Sequence, residues 1–322
     1  MIISKTPFRV SLFGGSTDYD SFYSKFGSFL IGFCLNKYTY LSARKTPLIL
    51  PYKTRLTYSK TEILNSNEDI EHLAIKGVID YCNVEFGLEL NHFSDLPSQT
   101  GTGSSSSFIV GLLNSLYALT EKSFCKKSIA QMAIEIERKI LDEPGGMQDQ
   151  IWASYGGLNS ISIKKCGDFE VKPMPVSEEF KSDFISRSIL VYTGKTRKSF
   201  QIAREIGQEK NTENKKRILE TARTAYEYFL ESDIEKIGGL LEDSWEAKKK
   251  LSDLISSSDV DLLYKKLKDN GMIGGKLLGA GRAGFIFGIM EDEDSKLRVK
   301  REYKNNYIDF AIDEEGSKII NR

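Results

Sequence analysis

Pro97-Ser-Gln-Thr-Gly101-Thr102-Gly103-Ser104-Ser105-Ser106-Ser107 runs without a polar buffer into a segment striped with Ile109, Leu112, Leu113 and Leu116 at helical spacing. Phosphate oxygens need several donors converging at close range. Two glycines let the backbone approach, and the free N–H groups and positive dipole end of a helix start supply the donors. The serine hydroxyls add further donors and one possible magnesium ligand. A flexible Gly/Ser linker has a similar composition, but a linker does not lead straight into an amphipathic helix. The chemistry expected here is phosphate binding.

Two carboxylates accompany the loop. On a helix expected from Ser128 (Ser-Ile-Ala-Gln as capping box) to about Leu141, Glu137 shares an apolar stripe with Ala133, Ile140 and Leu141, so it points inward. A buried carboxylate requires a partner or a cation. Arg138 is the structural option, and magnesium is the functional one once phosphates are near. Asp149 lies in Pro144-Gly145-Gly146-Met-Gln-Asp149-Gln, a turn into a helix, where Asp is by default an N-cap. A third segment, Phe8-Arg9-Val-Ser-Leu-Phe-Gly14-Gly15-Ser16-Thr17-Asp18-Tyr19, ends a strand pattern on paired glycines. Asp18 there is either a turn and cap residue or an acceptor for adjacent sugar hydroxyls, and spacing alone does not choose.

The elements that must position these groups follow from pattern. Strands are expected at Phe8–Phe13, Tyr38–Ala43, Leu88–Phe93, Leu158–Ile163 and Ser188–Tyr192, with a helix from about Phe108 and another stretch ended by Gly156-Gly157. Around Cys166–Ser177 the composition turns to Gly, Pro and charge, so the chain is read as two domains, 1–175 and 176–322, sharing one cleft. Charged helices between Thr196 and Lys250, then strand patterns around the Gly-rich stretch Gly271–Met290, make the second an α+β domain.

Composition narrows the chemistry. The 322 residues carry 45 Lys+Arg and 45 Asp+Glu, with no basic excess to suggest a nucleic-acid partner, and the basic clusters Lys248–Lys250 and Lys215–Arg217 are read as solvated faces of charged helices. Four scattered cysteines without a C-x-x-C pair, and only His72 and His92, argue against a zinc site or disulfide framework and fit a reducing compartment. No charged leader precedes an apolar run, and Phe29–Leu35 is too short to span a bilayer. The expectation is a cytoplasmic protein, monomer or homodimer, with no membrane partner. Two lookalike motifs fail. Gly194-Lys195-Thr196 lacks the first glycine of a Walker loop, which would have to stand at Ile189. Gly279-Ala-Gly281-Arg-Ala-Gly284 has the letters of a dinucleotide fingerprint but precedes a strand, Phe285-Ile-Phe-Gly-Ile. It is read instead as a turn closing on the active site, or a plain hairpin.

Together these segments resemble the GHMP kinase family, which includes galactokinases, homoserine kinases, mevalonate kinases and phosphomevalonate kinases. Its P-x-x-x-G-L-G-S-S-A motif appears as Pro97–Ser106, with Thr102 for Leu and Ser106 for Ala, and its C-terminal glycine motif as Lys276-Leu-Leu-Gly279-Ala-Gly281-Arg-Ala-Gly284. Gly15-Ser16 stands where galactokinases carry Glu-His. Lys5-Thr-Pro-Phe-Arg9, Phe13–Tyr19, Tyr58–Glu62, Gly145–Gln150 and Thr193–Arg197 are similar to the bacterial D-glycero-D-manno-heptose 7-phosphate kinases within it.

The resemblance implies an α+β fold of two domains, the first like a ribosomal-protein domain and the second ferredoxin-like. It also implies ATP and Mg²⁺ as cofactors, and a sugar phosphate as acceptor at its anomeric hydroxyl. Asp149 would be the general base, with Arg9 keeping it ionised. Backbone N–H groups of Gly101, Thr102, Gly103, Ser104, Ser105 and Ser106 would hold the triphosphate, and Ser105 and Glu137 the magnesium. Ser16, Thr17, Asp18, Gly145, Gly146, Thr196, Arg197 and Gly281 would contact the sugar. A kinase of a fucose- or galactose-type sugar, a mevalonate-type kinase or decarboxylase, and a catalytically silent sugar sensor are the rival readings.

Overall fold

The fold is described from a computed structural model, over residues 1–196, 200–208 and 212–321. Arg197 falls outside the described residues.

The first strand, β1 (Ile2–Phe13), begins with alternating burial and is buried on both faces from Thr6 onward. Such a run implies cover on each side of the sheet. On one side lies α3 (Ser104–Leu119), packed across β1 and the long β2 (Ser28–Lys45). On the other lie α8 (Thr212–Leu230) and α9 (Ile234–Lys249) from the second half of the chain. β2 is long enough to serve two neighbours. Its first half pairs with β6 (Leu158–Ile163), and its second half with β5 (Leu88–Ser94). β3 (Thr54–Thr57), β4 (Thr61–Leu64) and β7 (Phe169–Pro173) complete an eight-stranded sheet whose edge beside β1 is β11 (Lys318–Asn321).

The second sheet is antiparallel, in the order β8 (Ser188–Tyr192), β10 (Phe285–Met290), β9 (Met272–Leu277). Helices α7 (Phe200–Gly207), α8, α9 and α10 (Ser258–Asp269) fall between β8 and β9, and α11 (Glu293–Glu302) follows β10. This is the expected α+β arrangement of two sheets with helical cover. The last segment joins the halves. Asn306 and Ile308 bond to β8, Ala311 and Asp313 to the β2 region, and β11 to β1. One core runs through the seam, where Phe33 of the first sheet meets Phe184, Phe287 and Phe310 at ring separations of 5.8–6.3 Å.

Three local expectations change. The helix expected from Ser128 starts earlier, as α4 (Lys126–Glu135) with Cys125 at its cap position, and the Ser128 hydroxyl contacts Cys125 Sγ instead of capping. It then loosens into a π-helical turn, Ile136–Ile140, which carries Glu137. Such turns concentrate at functional sites because the extra residue re-aims side chains. Helix α3 begins at Ser104, one turn before Phe108, because the serines are already helical.

Phe287→Ala should cost about 3–5 kcal/mol, the range for truncating a fully buried aromatic, since its ring joins the two sheets and is 0% exposed. Urea denaturation would measure this, and a loss below about 1 kcal/mol would mean the seam is dispensable.

Candidate active site

Arg9 sits in the second half of β1, 4% exposed, and its guanidinium makes three bonds. Nε and Nη2 donate to the two carboxylate oxygens of Asp149 at 2.8 and 2.7 Å, and Nη1 donates to the Gly101 carbonyl at 2.5 Å. The arginine backbone N–H also donates to the Thr102 carbonyl at 3.1 Å. One side chain therefore holds both the phosphate-loop motif and the carboxylate. Asp149 is not the helix cap that its position suggests. Met147 occupies the cap position of α5 (Gln148–Tyr155), and Asp149 lies in the first turn with its oxygens committed to Arg9. A carboxylate has about four acceptor positions, so the bidentate pair leaves two for an incoming hydroxyl.

The cavity beside this pair measures about 410 Å³. The Gly101–Ser106 loop forms one wall and the turn Gly15–Tyr19 another, while Glu143–Gln150 closes a third side. The second half contributes Ala203 and Ile206 of α7, Lys248 of α9, Lys276 of β9, and the Gly279–Gly281 turn. That turn is the loop of the β9–β10 hairpin, and it closes on the phosphate motif: a Cβ on Gly279 would come within 2.3 Å of Gly101 Cα. Both lookalike readings of the segment are thus reconciled, a hairpin whose loop abuts the site.

Of the expected residues, the cavity gathers Arg9, Ser16, Asp18, Gly101, Gly103, Ser104, Ser105, Ser106, Glu137, Gly145, Gly146, Asp149 and Gly281. Thr17 and Thr102 do not line it. The Thr17 hydroxyl bonds to the Gly14 carbonyl and Ser28, and that of Thr102 to Thr100. Thr196 is exposed and off the cavity wall.

Asp18 is buried and accepts from Ser16 N at 3.1 Å and from Gln148 N and Nε2, both at 3.2 Å. Those three bonds leave one acceptor position, so a two-hydroxyl clamp on Asp18 would require Gln148 to move. Burial, then the neighbouring Asp149, pushes the Asp18 carboxyl up. The carboxylate lies so close to Gly146 that a Cβ there would meet Oδ2 at 1.8 Å.

Glu137 points inward as its stripe requires, but Arg138 is not its partner. Arg138 donates to the Tyr23 hydroxyl and to the carbonyls of Asp18 and Gly145, tying the turns together. Glu137 Oε2 accepts from Gln150 Nε2 at 2.5 Å, and Oε1 is buried with no partner among the described residues. Burial pushes its carboxyl up to about 8, against the pull of the nearby Ser106 hydroxyl. Among the described residues no cluster of three His, Cys, Asp or Glu forms a metal cage. An orphaned carboxylate oxygen beside serine hydroxyls nevertheless fits Mg²⁺, which takes one or two carboxylates and completes its shell with water and phosphate oxygens.

Sequence reasoning missed Ser11, Glu143, Gln148, Gln150, Lys248 and Lys276. The glutamines were within the segment already singled out. Lys248 read as one of a basic run on a solvated helix face, yet it is 6% exposed. Ser11 Oγ, Gln148 Oε1 and Gln150 Oε1 are, like Glu137 Oε1, buried and unpartnered among the described residues. Orphans concentrated on one cavity mark it as a place where a ligand supplies the partners.

Comparison with known proteins agrees with this geometry. Residues 69–157 match the profile of the GHMP kinases N terminal domain, and residues 225–309 that of the GHMP kinases C terminal. The chain is 27% identical to the D-glycero-alpha-D-manno-heptose 7-phosphate kinase of Campylobacter jejuni, with 98% of each chain covered. It is 25% identical to the galactokinase of Pyrococcus furiosus over 94% of this chain and 93% of that one. Among solved structures, a D-glycero-D-manno-heptose 1-phosphate kinase from Bacteriodes thetaiotaomicron superposes with a TM-score of 0.82 at 23% identity, covering 100% and 99% of the two chains.

Because the folded-state carboxyl of Glu137 is raised to about 8 from an ordinary 4.5, the native state holds a proton that the unfolded chain releases. Its burial therefore destabilises the metal-free protein progressively as pH rises from about 4.5 to 8. Glu137→Gln should remove that slope and leave the variant more stable than wild type at pH 9, by on the order of a few kcal/mol. Magnesium should raise the melting temperature of wild type and not of the variant. A variant that kept both the pH slope and the magnesium response would assign them to other groups.

Proposed function

The chain belongs to the GHMP kinase family and is a sugar kinase, and from that premise we propose that it transfers the terminal phosphate of ATP to the anomeric hydroxyl of D-glycero-D-manno-heptose 7-phosphate, giving the 1,7-bisphosphate. The observation that carries the phosphotransferase chemistry is the Arg9–Asp149 pair held against the phosphate motif, with Gly103 so close that a Cβ on it would meet Asp149 Oδ2 at 3.3 Å. A phosphate on that loop and a hydroxyl on that carboxylate would be neighbours. The name of the Campylobacter relative supports the heptose phosphate.

In this reading the Gly101–Ser106 backbone, including Thr102, holds the triphosphate at the start of α3. Ser105 and Glu137 would hold Mg²⁺, which would offset charge on the phosphates. Asp149 accepts the hydroxyl proton through a lone pair that Arg9 does not occupy, the hydroxyl oxygen attacks the terminal phosphorus, and ADP leaves. Arg9 fixes the carboxylate against rotation, so its free lone pairs face the cavity before substrate arrives. Asp18, with Ser16, Gly145, Gly146 and Gly281, shapes the sugar end. Thr17 acts through the turn it braces. Thr196, which stands off the cavity wall, and Arg197 would contact the acceptor. The 1–175 and 176–322 halves then supply opposite walls of one cleft. Among the described residues no helix is long and apolar enough to cross a membrane, and the substrate class suits a cytoplasmic enzyme supplying activated heptose for surface polysaccharide.

Two measurements test this. A coupled ADP-release screen across free and phosphorylated hexoses and heptoses should show heptose 7-phosphate far above free heptose and galactose. Equal efficiency on all of them returns the chain to an unspecified sugar kinase. Asp149→Asn should lower turnover by about 10²–10⁴, because it removes proton acceptance and one of the two bonds to Arg9, while nucleotide affinity should fall far less. Near-normal turnover would limit Asp149 to anchoring Arg9.

A further inference from the structure

Lys248 and Lys276 come from different elements, α9 and β9, and meet in the cavity at 6% and 4% exposure. Among the described residues neither forms an ion pair; their hydrogen bonds go to backbone carbonyls, and Lys248 Nζ also lies 5.9 Å from the centre of the Trp245 ring. Lys276 Nζ donates to the Leu12 carbonyl at 2.9 Å, and Lys248 Nζ to the carbonyls of Leu277 and Gly279. Burying a cation without a counter-charge is costly. Two such residues side by side, each also repelled by Arg9, compound that cost. An ammonium has three donors, so about three N–H bonds of the pair remain unused.

The charged groups facing the pair are Arg9 from β1 and Asp149 from α5, and Asp149 is already bonded twice to Arg9. Asp18, Glu137 and Glu143 line the same cavity and are not among the charges that act on either lysine. Three cations against one carboxylate leave room for a dianion.

We propose that Lys248 and Lys276 form a second phosphate-binding element, separate from the glycine/serine loop, that grips a phosphoryl group at the Arg9–Asp149 end of the cavity. The proposal rests on the kinase reading for the source of that group, which is either the terminal phosphate of the nucleotide or the phosphate of the acceptor. The anchoring bonds explain the choice of lysine. Lys248 fixes the Gly279 turn that touches Gly101, and Lys276 fixes the end of β1, so both ammonium groups are positioned before ligand arrives.

Proton linkage supplies the signature. Burial, then Arg9, pulls the Lys276 ammonium down to about 7, and burial, then Lys276, pulls Lys248 well below its usual range. A bound phosphate restores the missing protons. Phosphate affinity should therefore fall as pH rises above about 7.

The test is an NMR titration of the lysine side chains in the full chain, with signals assigned by Lys276→Arg and Lys248→Arg. In the free protein Lys276 should titrate near 7. Inorganic phosphate should move that titration up by about one pH unit or more. An unchanged titration under saturating phosphate would overturn the proposal and leave the lysines as struts.

Calorimetry with Lys276→Met identifies the source. A loss of about 10- to 100-fold, the range for one charge-assisted hydrogen bond, for a non-hydrolysable ATP analogue but not ADP assigns the nucleotide. The same loss for a sugar phosphate but not the free sugar assigns the acceptor. Unchanged affinity for all four ligands also overturns the proposal. If the Met variant does not fold, the wild-type titration decides alone. Wild type that shows the lysine response to phosphate but binds no nucleotide would keep the pair and sink the kinase reading. Normal nucleotide binding with silent lysines would do the reverse.

Discussion

The site depends on one buried fork. Arg9 spends its guanidinium on both oxygens of Asp149 and on the Gly101 carbonyl, so β1, the phosphate-motif loop and α5 share a single anchor. A planar guanidinium suits this task because its donors are fixed relative to one another, so holding one partner orients the next. Lysine would supply the charge without the geometry. Burial on a strand covered on both faces removes the remaining freedom of the side chain, and the carboxylate is aimed by the sheet itself.

Around that anchor the cavity concentrates charges that water would ordinarily solvate. Glu137 and Asp18 are carboxyls pushed up by burial, and Lys276 and Lys248 are ammonium groups pulled down by it. Each pair sits where the other sign is scarce, and neither neutralises the other across the cavity. Desolvation of this kind disfavours the empty site and favours the filled one, since a polyanion with its cation supplies both missing partners. The four orphaned polar atoms on the same walls tell the same story in hydrogen bonds.

The walls come from distant parts of the chain, and their alignment depends on the seam. Phe33, Phe184, Phe287 and Phe310 pack across it, and the final segment bonds in turn to β8, to the β2 region and to β1. Lys248 and Lys276 extend that seam into the cavity with bonds to carbonyls of β9, its following turn and β1. Contact of Gly279 with Gly101 then fixes the spacing of the two walls.

Much of this was legible in the residues. The glycine/serine motif ahead of an apolar-striped helix, Glu137 on the buried stripe and Asp149 after paired glycines are local patterns, and local sterics and periodicity suffice to read them. The two lookalike glycine motifs were dismissed on the same grounds. What local pattern cannot carry is the partner of a charged group. Asp149 resembled a cap until Arg9, 140 residues away, claimed it. Arg138, next to Glu137 in sequence, turns instead to Tyr23 and the carbonyls of Asp18 and Gly145, because adjacent residues of a helical turn face different directions. Thr17 and Thr102 carry suitable hydroxyls, but neighbouring backbone and side-chain oxygens occupy them. Lys248 lay in a basic run indistinguishable from a solvated helix face, and only the packing of α9 against β9 removed it from water. Sequence thus determined which chemistry the chain carries, because donors, acceptors and backbone permissiveness are properties of residue types. Tertiary structure decided which groups are paired, buried or left waiting for a ligand, because desolvation and ion pairing depend on neighbours that the chain brings together only when it folds.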